Sequence, residues 1–202
     1  KLYRLCFDSI PIFLTAALLI PTTAHSDEVE GTPIISNGTV CEECGFGPSV
    51  VSLSGCTGTL IHPQVILYAA HCGINYQARF THHSSIGRVE SIDYCEIHPE
   101  YSGSTGYDFA SCVLDNPVTD IPYIPPAFGC EYDLFVQPGE LVHLVGFGEY
   151  ADGAWDGYKR YGISQINIVT APDGYGTLIL GPYNGVVACP GDSGGPALVQ
   201  VD

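Results

Sequence analysis

Short apolar runs that alternate with polar positions dominate the chain from residue 49 onwards. "SVVSLSG", "CTGTLIHP" and "QVILYAAHC" follow one another, separated by glycine or proline, as successive antiparallel strands do. "RVESIDYCEIHP" and "DFASCVLDNPV" continue the pattern. No helical period of useful length appears in residues 25–202, so the pattern predicts an all-β fold.

The region 116–139 interrupts this pattern. It contains five prolines, and we predict that it connects two lobes. "ELVHLVGFGEY" and "GISQINIVT" then resume the strand character. We therefore expect two β lobes, over residues 35–115 and 135–202. The 24 glycines and 15 prolines of the 202-residue chain fit many short strands joined by turns.

The start of the chain has a different pattern. Two basic residues precede an apolar run over Ile10–Ile20, and small residues follow up to Ala24. A transmembrane helix is the alternative, but 11 residues interrupted by Pro11 are too short to span a bilayer. The pattern predicts a secretory signal peptide over residues 1–24, and then a short leader or pro-segment over residues 25–34.

The negative net charge of the chain argues against some classes of binding partner. The net charge is −16, and it becomes −17 when residues 1–24 are removed, because Lys1, Arg4 and Asp8 leave with them. Such an acidic chain is not expected to bind nucleic acid or to insert stably into an anionic membrane. We expect a secreted, soluble protein that stays monomeric because the negative charges on its molecules repel one another.

Eight cysteines remain once Cys6 leaves with the signal peptide, and in an exported chain they should form disulfides. Cys41 and Cys44 form a CxxC pair, but no second pair of ligands follows at metal-binding spacing. We therefore predict neither a metal nor another cofactor. Asn37 begins an Asn-Gly-Thr triplet that fits a glycosylation acceptor.

Three short motifs hold side chains that could carry chemistry. "GDSGG" places Ser193 between glycines, "YAAHC" places His71 at the end of an apolar run, and "YDFASCVL" places Asp108 at the head of another. A serine hydroxyl is a weak nucleophile that needs a nearby base, and that base needs an orienting partner. Each motif alone is also compatible with a structural role. Five other histidines lack a partner motif: His62, His82, His83, His98 and His143.

His71, Asp108 and Ser193 in this order resemble the catalytic residues of the trypsin-like (chymotrypsin-fold) serine peptidases. "AAHC", "DFA" and "GDSGGP" carry the resemblance, with "GTLIHPQVILYAAHC" and "LVGFG" as context. It runs from about Ile35 to the last residue and implies two six-stranded antiparallel β-barrels. Family members continue for some tens of residues after the serine. We therefore expect a C-terminally truncated peptidase domain with an incomplete second barrel, and a shortened, inactive relative is the alternative.

The resemblance also implies roles. Ser193 attacks the peptide carbonyl, His71 takes and returns the proton, and Asp108 orients the imidazole, as in the family's well-known mechanism. The N–H groups of Gly191 and Ser193 form the oxyanion hole. Val187, six residues before the serine, lies at the base of the specificity pocket. Because Val187 has no charge, cleavage after lysine or arginine is not expected.

The family's activation mechanism and disulfides extend the resemblance. A freed amino terminus at Ile35, or alternatively at Ile34, would pair with Asp192, although neither isoleucine follows a lysine or arginine. The family has a disulfide at the place of Cys56 and Cys72. A second is expected between two further cysteines, Cys95 and Cys112, which bracket the loop of Asp108 on two predicted neighbouring strands.

Two functions follow from this sequence. The first is a secreted serine endopeptidase, with polypeptides as substrates and protein inhibitors as possible partners. The second is a non-catalytic homologue that acts as a binding or regulatory module.

Overall fold

A computed structural model of the chain describes residues 17–21, 35, 38–41, 47–103, 106–150, 153–170 and 177–201. Most of the predicted signal peptide and leader lies outside these residues, as do Cys44 and Asn37. The elements in chain order are strands β1 (Ala17–Pro21), β2 (Thr39–Val40), β3 (Val50–Leu53), β4 (Cys56–His62) and β5 (Val65–Tyr68), a 3-10 turn (Ala70–Cys72), strands β6 (Gln77–Phe80), β7 (Arg88–Ile97) and β8 (Ala110–Leu114), helix α1 (Cys130–Phe135), and strands β9 (Leu141–Gly146), β10 (Arg160–Thr170), β11 (Thr177–Gly181) and β12 (Ala197–Val201).

The first lobe is a closed six-stranded barrel with the strand order β3-β4-β5-β8-β7-β6. Every neighbouring pair is antiparallel, and β6 returns to pair with β3. The alternation in the sequence sets the faces of the strands. In β8, Ala110, Cys112 and Leu114 point into the core, while Ser111 and Val113 between them are only partly buried. A closed barrel leaves no unpaired edge.

The second lobe is an open sheet with the strand order β1-β12-β9-β10-β11, and β2 also pairs with β10. Its pairs are antiparallel except for β1 with β12, which are parallel. One closed antiparallel barrel and a second, partial sheet confirm the predicted fold class.

Three details differ from the expectations. Thr39 and Val40 belong to the sheet of the second lobe, because they pair with Tyr161 and Arg160. The predicted inter-lobe connection contains α1, which at six residues is too short to produce a helical period. Strand β1 lies in the predicted signal peptide and covers the outer edge of β12; cleavage near Ala24 stays a prediction.

An apolar cluster joins the two lobes. Val50 of the barrel packs with Val145 and Leu198 of the second sheet, and with Phe147 and Ile124. All of these side chains are at least nine-tenths buried. Burial of this kind stabilises the contact by about 25 cal/mol per Å² of apolar surface, so the junction between the lobes is a packed interface.

Both predicted disulfides are present, and both lie in the first barrel. Cys56 bonds to Cys72, and Cys95 bonds to Cys112. Cys41 is also disulfide-bonded. Among the described cysteines, Cys130 and Cys189 are free thiols. Within the same residues, no helix is long and apolar enough to cross a membrane.

Candidate active site

His71 and Asp108 are joined by two hydrogen bonds. His71 Nδ1 lies 2.7 Å from Asp108 Oδ2, and the backbone N–H of His71 donates to Asp108 Oδ1 over 2.8 Å. The imidazole is 45% exposed and the carboxylate 26% exposed. One carboxylate thus fixes both the backbone and the ring of His71, and Nε2 takes no part in either bond. This is the geometry that a base with an orienting partner requires.

A strained turn presents Asp108 to the imidazole. Tyr107 has a φ of +59°, which is uncommon for a residue with a side chain. The ring of His98 stacks on Tyr107 with 4.7 Å between centroids, and contacts Phe109 at 4.6 Å. The backbone N–H of His98 also donates to the carbonyl of Phe109. Both neighbours of Asp108 are therefore held by His98, for which no partner was evident in the sequence.

Ser193 lies on a tight loop that the first barrel holds in place. The N–H of Thr57 donates to the carbonyl of Ser193 over 2.9 Å, and the Thr57 hydroxyl donates to the carbonyl of Gly191 over 2.9 Å. Sγ of Cys72 lies 3.8 Å from the same Ser193 carbonyl. The structure therefore brings the backbone of Ser193 against the disulfide that is adjacent to His71.

Glycine is required where this loop meets the barrel. Gly194 has a φ of +83°, and a Cβ there would lie 2.4 Å from the carbonyl oxygen of Thr57 and 2.7 Å from the nitrogen of Ala69. No side chain fits at that distance, because both neighbours are backbone atoms. The loop thus packs directly against the ends of β4 and β5, immediately before His71.

Two backbone amides of the loop are available for an anionic ligand. Among the described residues, neither the N–H of Gly191 nor that of Ser193 donates a hydrogen bond. Gly191 has a φ of +94°, and its Cβ would lie 2.9 Å from Cα of Gly148. Unpaired N–H groups are what an oxyanion hole requires as donors, and the role of Gly191 and Ser193 in one stays a prediction.

Asp192 points away from these amides into the second lobe. Its carboxylate accepts hydrogen bonds from the N–H groups of Gly148 (2.8 Å) and Cys189 (2.9 Å). A Cβ on Gly146 would meet Asp192 Oδ1, and one on Gly148 would lie 2.6 Å from its carboxyl carbon. The glycines of "LVGFG" therefore make room for Asp192. Burial raises the pKa of this carboxyl group, against the effect of the two hydrogen bonds.

The predicted partner of Asp192 lies in the core of the second lobe. Ile35 is 1% exposed and packs with Val142, Ile166 and Val186. Ile34 and Ile35 are joined in this chain, so the nitrogen of Ile35 is an uncharged amide. The ion pair with Asp192 stays a prediction for a cleaved chain.

Val187 and Cys189 lie in the segment that leads into the serine loop. Val187 is 38% exposed, whereas the preceding Val186 is buried in the core. Burial, with Asp192 and Glu149 nearby, raises the pKa of the Cys189 thiol. The structure thus exposes an apolar side chain at the predicted pocket position, and its role there stays a prediction.

The ligand atoms of Cys56, His71 and Cys72 lie within 4.8 Å of one another. They do not make a metal centre, because metals bind thiolates and these two sulfurs form a disulfide.

A base–carboxylate pair on one β lobe, beside a glycine-bounded serine loop on the other, is the architecture of a chymotrypsin-fold serine peptidase. Residues 35–202 match the family model described as Trypsin. The chain therefore belongs to the trypsin family of serine peptidases.

Individual relatives agree with this assignment. A trypsin of Saccharopolyspora erythraea is 28% identical over 163 residues, which cover 72% of this chain and 70% of that protein. A trypsin of Squalus acanthias is 30% identical over 171 residues, with coverages of 71% and 69%. Glucanase inhibitor protein 2 of Phytophthora infestans is 28% identical over 206 residues, with coverages of 92% and 78%.

A solved structure shares the fold. Neuropsin, a serine protease expressed in the limbic system of mouse brain, superposes with a TM-score of 0.61 over 75% of this chain and 77% of its own, at 22% identity.

Proposed function

We propose that the protein is a secreted serine endopeptidase that cleaves polypeptides through an acyl-enzyme. The observation that carries this proposal is the doubly bonded pair of His71 and Asp108, with the loop of Ser193 held beside it by Thr57. These contacts support a site at the junction of the two lobes that combines the three residue types that acyl transfer needs.

Each residue has one task in this mechanism, which is that of the family's triad. The Ser193 hydroxyl attacks the carbonyl carbon while His71 Nε2 takes its proton. The negative charge on the former carbonyl oxygen is bound by the N–H groups of Gly191 and Ser193. Asp108 stabilises the imidazolium, which then protonates the leaving amine. Loss of one oxyanion donor typically costs about 3 kcal/mol of transition-state stabilisation.

Specificity and secretion follow from other residues. The exposed, uncharged Val187 favours apolar over basic side chains at the cleaved position, because an unpaired cation buried there would be costly. The disulfides of the first barrel fit an oxidising compartment, in agreement with the predicted signal peptide.

A new amino terminus would complete the site. The buried Asp192 has amide hydrogen bonds, and the ammonium of a freed Ile35 would add a countercharge. Pairing would hold the serine loop against the core of its own lobe and fix its two amides.

A non-catalytic binding or regulatory module is the second candidate. It is favoured by the match over 92% of this chain to a protein named as a glucanase inhibitor. The intact set of His71, Asp108 and Ser193 favours the peptidase.

A fluorophosphonate probe separates the two candidates. The probe should label the wild-type chain, and the protein should turn over a chromogenic peptide with an apolar residue at the cleaved position. Ser193→Ala should abolish both signals, whereas Ser102→Ala, at another exposed serine, should leave them unchanged. A folded protein that shows neither labelling nor turnover would favour the non-catalytic module.

A further inference from the structure

Trp155 is the single tryptophan of the chain, and burial does not account for its place in the structure. It is 58% exposed, so it gains only part of the apolar stabilisation that a buried tryptophan provides. Its indole Nε1–H nevertheless donates a hydrogen bond of 2.7 Å to the backbone carbonyl of Phe147. The proposed mechanism uses Trp155 in no step.

The residues on either side hold Trp155 in place. Asp156 accepts two hydrogen bonds from the guanidinium of Arg160, at 2.7 and 2.6 Å, and this guanidinium also lies 4.7 Å from the ring centroid of Tyr150. The backbone N–H of Tyr150 donates to the carbonyl of Ala154 over 3.0 Å. Because both neighbours of the tryptophan are fixed, its indole N–H is aimed with little further loss of conformational entropy.

The carbonyl that accepts this bond belongs to the peptide group that joins Phe147 to Gly148. A peptide group is planar and trans, so its C=O and its N–H point in opposite directions. Here the N–H is that of Gly148, and it donates to Asp192 Oδ1 over 2.8 Å. Trp155 therefore fixes one end of a rigid group whose other end bonds to the serine loop.

A second planar peptide group links this segment to the proposed oxyanion donor. The N–H of Glu149 donates to the carbonyl of Pro190 over 2.9 Å. That carbonyl and the N–H of Gly191 are the two ends of one peptide group, so the bond directs the Gly191 N–H away from Glu149. A Cβ on Gly191 would lie 2.9 Å from Cα of Gly148, so backbone packs on backbone here. The direction of the Gly191 N–H is thus set by the segment 147–149.

We propose that Trp155 is a positioning residue that orients the N–H of Gly191 through the segment 147–149. The inference rests on the proposed function, since it assigns a role in the same acyl transfer. Oxyanion donors accelerate the reaction because they are already aimed at the place where the negative charge develops. Without the indole N–H, the peptide group between Phe147 and Gly148 could rotate, and the Gly191 N–H would spend less time in the required direction.

Because the chain has one tryptophan, its indole N–H can be replaced alone. In a tryptophan auxotroph, benzothienylalanine enters at position 155 with nearly the same shape and with sulfur in place of the N–H. Fluorotryptophan, which keeps the N–H, is the matched control. We expect the sulfur analogue to lower kcat for a chromogenic peptide about fivefold, as the loss of one hydrogen bond supports. KM should stay unchanged, because the donor acts only on the transition state.

Two ligands test whether the effect lies at the oxyanion donors. A peptide boronate forms a tetrahedral adduct with Ser193 and places an oxygen at these donors, so the sulfur analogue should bind it about fivefold more weakly. A substrate analogue with a reduced peptide bond has no carbonyl oxygen, and both forms should bind it equally well. A purely structural role of Trp155 would weaken both ligands alike and would overturn the proposal.

Amide hydrogen exchange tests the structural step without turnover. The N–H groups of Gly148 and Glu149 should exchange about fivefold faster in the sulfur analogue, because their bonds to the serine loop open more often. Residues 110–114 of the barrel should exchange at the same rate in both forms. Equal exchange rates at Gly148 and Glu149 would overturn the proposal. Faster exchange with an unchanged kcat would overturn it too, because Trp155 would then hold the segment 147–149 without orienting the donor.

Failure of the proposed function gives a different result. If neither form turns over the peptide or reacts with a fluorophosphonate, the peptidase assignment is wrong, and the role of Trp155 in acyl transfer is wrong with it. If the wild-type chain turns over the peptide and the sulfur analogue has the same kcat, the peptidase assignment stands and only the proposal for Trp155 is wrong.

Discussion

The two lobes hold their shares of the candidate active site in different ways. The barrel carries both His71 and Asp108, is closed, and contains two disulfides. The second lobe carries Ser193 on a loop, and its described cysteines at positions 130 and 189 are free. The proposed base and its carboxylate are thus fixed within one unit, whereas the position of the proposed nucleophile depends on contacts between the units.

Thr57 is the clearest example of that dependence. It is fully buried at the start of β4. Its hydroxyl accepts from the N–H of Phe147 and donates to the carbonyl of Gly191, and its own N–H donates to Ser193. One residue of the barrel therefore bonds both to the loop of Ser193 and to the segment at Phe147 in the second lobe.

The largest expected effect is the loss of turnover when the pair of His71 and Asp108 in the barrel is changed. Asp108→Asn should lower kcat about 10⁴-fold, the magnitude known for this family's triad, because an amide no longer selects the imidazole tautomer with a proton on Nδ1. The bond from the His71 N–H to Oδ1 can persist, so the thermal unfolding midpoint should change little. The measurement is turnover of a chromogenic peptide.

Asp115→Asn is the matched control, because Asp115 is an exposed aspartate just after β8 and outside the site. It should leave kcat unchanged. A kcat of Asp108→Asn within tenfold of wild type would show that the pair of His71 and Asp108 is only structural. The barrel would then not hold a catalytic base.

The sequence predicts most of the barrel and the types of residue in the site. Alternation in "ASCVL" gives the inward face of β8, and local motifs identify His71, Asp108 and Ser193. The apolar runs also predict two lobes, but not where the first one begins: Ile35, Thr39 and Val40 belong to the second lobe, and the barrel starts at Val50. These features are local, so a single segment contains the information.

Features that depend on distant segments were missed. Thr57 lies 134 residues from Gly191, and nothing around "CTGTL" indicates that its hydroxyl bridges the lobes. His98 has no neighbouring motif, and its role comes from stacking on Tyr107 across a turn. Thr39 and Val40 join the second lobe because of pairing with β10, which no local pattern encodes.

Removal of the bridging hydroxyl should weaken the junction. Thr57→Val keeps the shape but leaves the Phe147 N–H and the Gly191 carbonyl without their partner. Each unsatisfied buried group costs about 1–3 kcal/mol, so we expect the free energy of unfolding to fall by about 2 kcal/mol. We also expect kcat to fall about tenfold, because the serine loop loses a constraint. Urea denaturation and peptide turnover measure the two effects.

Thr57→Ser is the control, since it keeps the hydroxyl and should recover most of the lost kcat. If Thr57→Val lowers stability but leaves kcat unchanged, the hydroxyl only joins the lobes, and the nucleophile is positioned by the second lobe itself.

The smallest expected effect is on the pH dependence of stability and comes from Lys159. This residue lies at the same junction, just before β10. It is 1% exposed; its Nζ donates to the carbonyl of Gly47 over 3.0 Å and lies 5.3 Å from the ring centroid of Phe147. Burial lowers its pKa to about 7. Between pH 7 and the ordinary lysine pKa of 10.5, the unfolded chain therefore binds more protons than the folded one. It follows that the free energy of unfolding rises with pH in this window.

From pH 7 to pH 8.5 the rise should be about 1–2 kcal/mol, measured by urea denaturation. Below pH 7 both states are protonated, so the cost of burying the charge is fully present and the slope from this group vanishes. Lys159→Met should remove the rise and increase stability at pH 7, because no charge is left to bury. Arg79→Met, which removes a partly buried cation of the first barrel, should leave the rise intact. A rise that persists in Lys159→Met would show that another group titrates, and that the junction between the lobes tolerates the lysine in its charged form.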